Sequence, residues 1–271
     1  MSEVKTSSVG AEGGHWYTSD HELVVSVPRA KGDGMRKATL KDARRNGWRP
    51  GCTTVIRQAA APQLEMWKQR QAIEATLDLD QQPEEETKAY MRRVIHRAGE
   101  IASEAARAGT EIHKQIELFF RGQKCDPFYK PHVLGVADLL ERECATGDDL
   151  DEFMPERTVV HPDGYGCTVD LASSKFVLDF KTKKGTPEDW GDRTYPQHWM
   201  QLAACRAAIS RRCGWPGDQA CGIVYVSRDN PGECSLSWAT EDQIQQGWLM
   251  FRALLAYWKA ANRYDPTALI A

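Results

Sequence analysis

The chain has 271 residues, 35 Lys and Arg against 38 Asp and Glu, and 41% hydrophobic residues. That length builds one large or two small domains with a substantial core, and the hydrophobic fraction and net charge of −3 exclude a disordered chain. No window approaches the ~18 consecutive apolar residues of a membrane span, and Met1 to Asp20 lacks a basic segment followed by an apolar one. The expectation is a soluble globular protein of the cytoplasm.

The eight cysteines form no C-x-x-C pair. Reduced thiols packed as small hydrophobes are therefore the main reading, and an iron–sulfur cluster gathered from Cys205, Cys213, Cys221 and Cys234 the minor alternative. Charge is locally uneven: Arg29 to Arg49 carries eight basic residues against Asp33 and Asp42. A near-neutral chain with one basic arm suits a polyanion held locally, with Arg44, Arg45 and Arg49 as candidate contacts to a DNA backbone.

Residues 1–50 are polar and glycine-rich with one strand-like run, Leu23 to Val27, and read as an arm or small β element. The rest, 51–271, reads as one domain, helical to about residue 125 and sheet-bearing beyond. Pro62 opens a helix to about Leu77. A second helical stretch runs from about Thr87 to Phe120, with Gly99 and Gly109 as points of division. Thr158–His161, Gly166–Leu171 and Phe176–Phe180 are short β-prone runs joined by turn sequences, Pro162-Asp163-Gly164 and Ala172 to Lys175. Tyr195 to Arg212 reads as a helix, Gly222–Ser227 and Cys234–Trp238 as a hairpin, and Thr240 with Gln243 as the capping box of a last helix. The fold class is α/β, a central mixed sheet flanked by helices with an N-terminal helical or arm region.

The chemistry concentrates in Gly166 to Thr182. Asp179 and Lys181 lie two apart on a strand and share a face. With Ala172 to Lys175 as the loop, Leu171 pairs with Phe176, and the Asp170 carboxylate falls diagonal to that of Asp179. Two carboxylates converging beside one ammonium in a half-buried strand are costly unless a cation sits between them, and hard oxygen ligands favour magnesium or manganese.

Asp170 followed by Asp179-Phe180-Lys181 resembles the D…(D/E)-x-K signature of the PD-(D/E)xK nuclease superfamily, whose restriction-endonuclease-like core the fold reading matches. Gly109-Thr-Glu-Ile-His113 resembles the G-x-x-x-H helix of its RecB-like branch. Gln201-Leu-Ala-Ala-Cys205 resembles the Q-x-x-x-Y motif, with Cys where the family has Tyr. Gly51 to Ile56 and Pro62 to Trp67 are similar to the entry segment of phage exonucleases in the group, which also includes mitochondrial genome-maintenance exonucleases and CRISPR-associated adaptation nucleases. The resemblance implies one or two Mg2+ or Mn2+ ions held by His113, Asp170, Asp179 and the backbone carbonyl of Phe180. Lys181 and Gln201 complete the catalytic set, Glu117 supports His113, and Lys183 and Lys184 meet phosphates. It implies a metal-dependent DNA exonuclease of phage recombination or replication type, with a single-strand annealing protein as a partner from family context. An endonuclease or flap nuclease, or a catalytically silent DNA-binding module, are the competing readings. Oligomeric state is not legible, and Trp190, Tyr195 and Trp199 divide between base stacking and core packing.

Overall fold

The structure, a computed structural model, describes residues 14–144, 153–190 and 194–268. In chain order its elements begin with β1 (Trp16–Tyr17), β2 (Leu23–Val24), β3 (Ser26–Pro28), β4 (Met35–Lys37), α1 (Leu40–Asn46), β5 (Arg49–Pro50) and α2 (Cys52–Ile56). The helices α3 (Pro62–Asp78), α4 (Thr87–Phe120) and α5 (Lys130–Cys144) follow. Then come β6 (Met154–His161), β7 (Tyr165–Ala172), β8 (Phe176–Lys183), α6 (Pro187–Trp190), α7 (Pro196–Cys213), β9 (Ala220–Ser227), β10 (Cys234–Trp238) and α8 (Glu241–Ala261).

The chain forms two compact units, one of Met1–Ala59 with Ile112–Ala271 and one of Ala60–Glu111. Residues 14–59 join the main unit because their apolar side chains are needed in its core: Trp16, Tyr17, Val24, Ala43 and Val55 are all buried. β1 pairs with β2 and β5, and Gly51 bridges to Gly166 of β7. Gly166 has no alternative there, because a Cβ on it would lie 2.3 Å from Cγ of Tyr17. The same segment is tied to the far end of the chain. Trp16 packs edge-on against Trp258, and the Tyr264 hydroxyl lies 2.8 Å from the Trp48 carbonyl and 3.0 Å from that of Ala43.

In the second unit, Arg93 makes a two-pronged pair with Glu85, both bonds at 2.8 Å, and donates to the Asp80 carbonyl. The Tyr90 hydroxyl donates to the Leu79 carbonyl. These bonds close the α3–α4 connection. α4 itself runs 34 residues without division at Gly99 or Gly109, since neither has to leave the helical region.

The central sheet has the order β10-β9-β8-β7-β6. β6, β7 and β8 form an antiparallel meander, β8 and β9 run parallel across the α7 crossover, and β10 returns antiparallel. The expected mixed α/β sheet is thus present. Alternation along β8 and β9 feeds two cores. Val177, Ile223 and Tyr225 face a cluster with Leu202, Ile209, Phe251 and Trp258, whereas Leu178, Phe180, Val224 and Val226 face one with Ile112, Ile116, Val136 and Leu140. The second cluster depends on α5, whose Val133, Val136 and Leu140 spacing is helical. α8 begins at the foreseen box: Gln243 N–H donates to Thr240 Oγ1, and Thr240 N–H to Gln243 Oε1.

Glycine substitutions separate these packing demands. A Cβ on Gly247 of α8 would meet the Trp199 carbonyl of α7 at 2.5 Å, whereas one on Gly99 meets nothing within 4 Å. Gly247→Ala is expected to destabilise by about 1–3 kcal/mol. Gly99→Ala should stabilise by about 1 kcal/mol through helix propensity. Urea unfolding of both variants checks the opposite signs.

Candidate active site

The site gathers side chains from β6, β7, β8, α7 and the end of α4, all in the main unit. Its register differs from the sequence expectation. Leu171 pairs with Leu178 and Ala172 with Val177, so the turn is Ser173 to Lys175 and the register carries Asp170 toward Asp179 instead of Val177. The tighter turn is held by Ser173, whose Oγ accepts from the Lys175 and Phe176 N–H groups and whose own N–H bonds the Phe176 carbonyl.

Asp170 also marks a break in β7. Val169 faces one core cluster and Leu171 the other, so the strand loses its alternation at the residue between them. The β7–β8 ladder ends at the same place, and Asp170 Oδ2 takes over by accepting the Phe180 N–H at 2.8 Å.

Asp179 is buried at 5% exposure. Its Oδ2 lies 2.7 Å from Lys181 Nζ, and its Oδ1 accepts from Gln201 Nε2 at 2.6 Å. Lys181 in turn donates to Gln201 Oε1 at 3.4 Å. An amide has both a donor and an acceptor, so Gln201 can hold the carboxylate and the ammonium together. It is a positioning residue for the pair, carried into place by α7.

His113, on the last turns of α4, has its Nδ1 3.8 Å from Asp170 Oδ2 and its ring edge-on to Phe180. Burial and the Lys181 charge lower its pKa to about 4, which leaves a neutral imidazole able to ligate. Glu117, one turn on, pairs with Arg121 at 2.9 Å. Phe180, whose carbonyl the resemblance assigns to a metal, buries its ring in the second core cluster, on the face opposite Asp179 and Lys181.

One acidic residue was not anticipated. Glu156 on β6 stands opposite Asp170 and adopts φ +48°, a conformation uncommon outside glycine. Burial raises its pKa to about 9, reinforced by the Asp170 and Glu117 charges against relief from Arg121. Sequence reasoning began the first strand at Thr158 and so left Glu156 in a loop. A carboxylate two residues before a β-prone run that pairs with an aspartate-bearing strand was the signal available.

Burial likewise raises Asp179 to about 6 and Asp170 above its ordinary value, with the Lys181 charge opposing both. Burial works against the Lys181 charge too, but Asp179 and Asp170 outweigh it and push its pKa up. The Lys181 ammonium therefore faces two buried carboxylates, while Glu156 adds a third acid that only Arg121 relieves. Oxygen donors in excess of positive charge, beside a neutral imidazole, are a donor set suited to a hard divalent cation.

The outlying candidates divide. Arg44 and Arg45 are exposed, Arg44 reaching the Asn262 carbonyl. Arg49 is 8% exposed and donates to the Gly47 carbonyl, so it does not belong to the exposed surface of the arm. Arg36 is neutralised by a two-pronged pair with Asp42. Lys184 is exposed, while the Lys183 ammonium sits 3.6 Å above the Tyr225 ring. Trp190 and Trp199 are core residues, and Tyr195 is half-buried.

No family model and no curated protein matches this sequence. Among solved structures it is similar to an alkaline exonuclease of Laribacter hongkongensis, at 17% identity and a TM-score of 0.33, over 52% of this chain and 74% of that one. What the site can do rests on its own geometry.

The raised carboxylates have a signed consequence. A carboxyl whose pKa rises on folding stabilises the fold at low pH, and that contribution is lost as pH rises from the unfolded value near 4 through the folded one. For Asp179 the window is about pH 4–6, and the loss is on the order of 3 kcal/mol. Asp179→Asn is expected to melt higher than wild type at pH 7 without divalent metal and to flatten the pH slope below 6. Thermal melts in EDTA across that range measure both.

Proposed function

We propose that the chain is a divalent-metal-dependent nuclease that hydrolyses phosphodiester bonds in DNA. The observation that carries this is the neighbouring Asp170 and Asp179, joined by Glu156 and His113, beside a lysine held in its ionised form. Glu156, Asp170, Asp179, His113 and the Phe180 carbonyl would hold the cation. Bound Mg2+ or Mn2+ supplies charge against the phosphate and acidifies an attacking water.

The chain's own residues do the rest. Lys181, kept cationic by its carboxylate neighbours, stabilises the charge that builds on the phosphate oxygens in the transition state. A lysine with a raised pKa is poorly suited to act as a base, so its role is electrostatic. Gln201 fixes the Asp179 carboxylate by bonding one oxygen and leaving the other toward Lys181. Neutral His113 offers nitrogen without adding charge. Arg44, Arg45 and Lys184, all exposed, would meet the nucleic-acid backbone without reading sequence.

The exonuclease form is favoured by the entry segment at Gly51 to Trp67, which is similar to that of phage exonucleases. Digestion of linear and circular plasmid with Mg2+, and again with EDTA, tests both levels. Loss of linear DNA alone, abolished by EDTA, is the expected outcome. Cleavage of the circle would place the chain among endonucleases, and no cleavage of either would sink the assignment.

Two variants test the division of roles. Lys181→Ala should lower the cleavage rate by about 100-fold or more at every metal concentration. His113→Ala should lose activity that raised Mn2+ partly restores, because its defect is in holding the ion. Rates measured against Mn2+ concentration separate them, and an unchanged metal dependence in His113→Ala would remove the histidine from the site.

The arm supplies affinity, not chemistry. Replacing Arg44 and Arg45 with Ala should reduce the slope of log affinity against log salt by roughly one for each phosphate left without its cationic partner. An unchanged slope would mean the arm's charge is merely solvated.

A further inference from the structure

Beside the acid–lysine site, on the sheet face that carries Val177, lies a second cluster with different chemistry. Cys52 at the start of α2, Cys167 in the middle of β7 and Cys205 in α7 bring their Sγ atoms within 4.8 Å of one another. Among the described residues they form the one set of three His, Cys, Asp or Glu ligand atoms gathered so closely. They are 4%, 0% and 4% exposed and lie in the apolar core shared with Val55, Val169 and Leu202.

Three elements far apart in sequence place these sulfurs independently, and each is anchored next door. Gly51, before Cys52, donates to the His15 carbonyl and bridges Gly166. Thr168, after Cys167, shares a 3.3 Å hydrogen bond with the Tyr17 hydroxyl. The Ala204 carbonyl, before Cys205, accepts from the Tyr165 hydroxyl at 3.0 Å. The sulfurs are thus held by anchors that do not depend on any bond among themselves.

We propose that Cys52, Cys167 and Cys205 form a buried soft-metal site for monovalent copper. Metal–sulfur bonds near 2.3 Å put the sulfurs of a planar three-coordinate ion about 4 Å apart, within the observed spread. Thiolate sulfur selects Cu(I) over the hard ions suited to the carboxylate site. Coordination number decides between soft ions: structural zinc takes four ligands, whereas three sulfurs are gathered here among the described residues. Each ligating thiol gives up its proton to solvent as its sulfur–copper bond forms. The bound ion would join α2, β7 and α7, the N-terminal segment and the two elements that carry Asp170 and Gln201.

The test uses the full chain under anaerobic, reducing conditions, with Cu(I) supplied as its acetonitrile complex and bicinchoninate as the coloured competitor. One Cu(I) per chain should be withdrawn from the competitor, and the melting temperature should rise with it. Cys52→Ala, Cys167→Ala and Cys205→Ala should each weaken capture by more than the roughly 10–100-fold typical of losing an outer-shell partner. Cys221→Ala, also buried but outside the trio, should capture copper like wild type. Capture that survives removal of any one of the three, or a wild type that competes no better than the triple variant, overturns the proposal. X-ray absorption on the copper-loaded wild type needs no variant: three sulfur neighbours support the site, and a two-sulfur or nitrogen–oxygen shell refutes it.

Discussion

The constraint around which this fold is arranged is the burial of Asp179 in the middle of a five-stranded sheet. A carboxylate at that depth is tolerable only with partners, and the structure supplies them from two directions. Lys181 comes from the same strand face and Gln201 from the crossover helix above it. Neither is sufficient for all the acid present. Asp170 and Glu156 approach from the neighbouring strands, and their raised pKa values record charge that the protein alone does not compensate. Stability has been conceded locally to hold acids close together, a pattern typical of sites that bind or transform something charged.

The sheet topology makes this crowding possible. An antiparallel meander brings β6, β7 and β8 side by side, so one acidic residue from each arrives at the same level. The parallel β8–β9 step then requires a crossover, and α7 lays Gln201 over the acids while its other faces fill the core. At the same level the β7–β8 ladder opens, and the Asp170 side chain replaces a backbone acceptor. A side chain that both ends a ladder and lines the acidic cluster couples local folding to the site's charge.

Much of this was legible in the sequence because the signals were local. Proline at the first turn announced α3, Thr240 with Gln243 announced α8, and the turn sequences separated the meander strands. The acid–lysine strand stood out because charged residues alternate there with large apolar ones. What escaped depended on distance. The hairpin register shifted because Ser173 bonds back to Phe176 and tightens the turn, a choice between loops that composition leaves open. Glu156 was missed because its relevance comes from pairing with β7. Arg49 reads as one more basic residue of the arm until the burial around β5 is seen. The clustering of Cys52, Cys167 and Cys205 joins residues from three separate stretches of the chain.

The tie between the ends of the main unit bears on how the chain must be made. Trp16 waits for Trp258, and the carbonyls of Ala43 and Trp48 wait for the hydroxyl of Tyr264. During ribosomal synthesis Trp16 and the carbonyls of Ala43 and Trp48 are made long before Trp258 and Tyr264. The α3–α4 unit, by contrast, has its own closing bonds as soon as it leaves the exit tunnel. Residues 16–48 therefore complete their packing only after residues 258–264 have been made, whereas Glu85 and Arg93 find each other within a few residues.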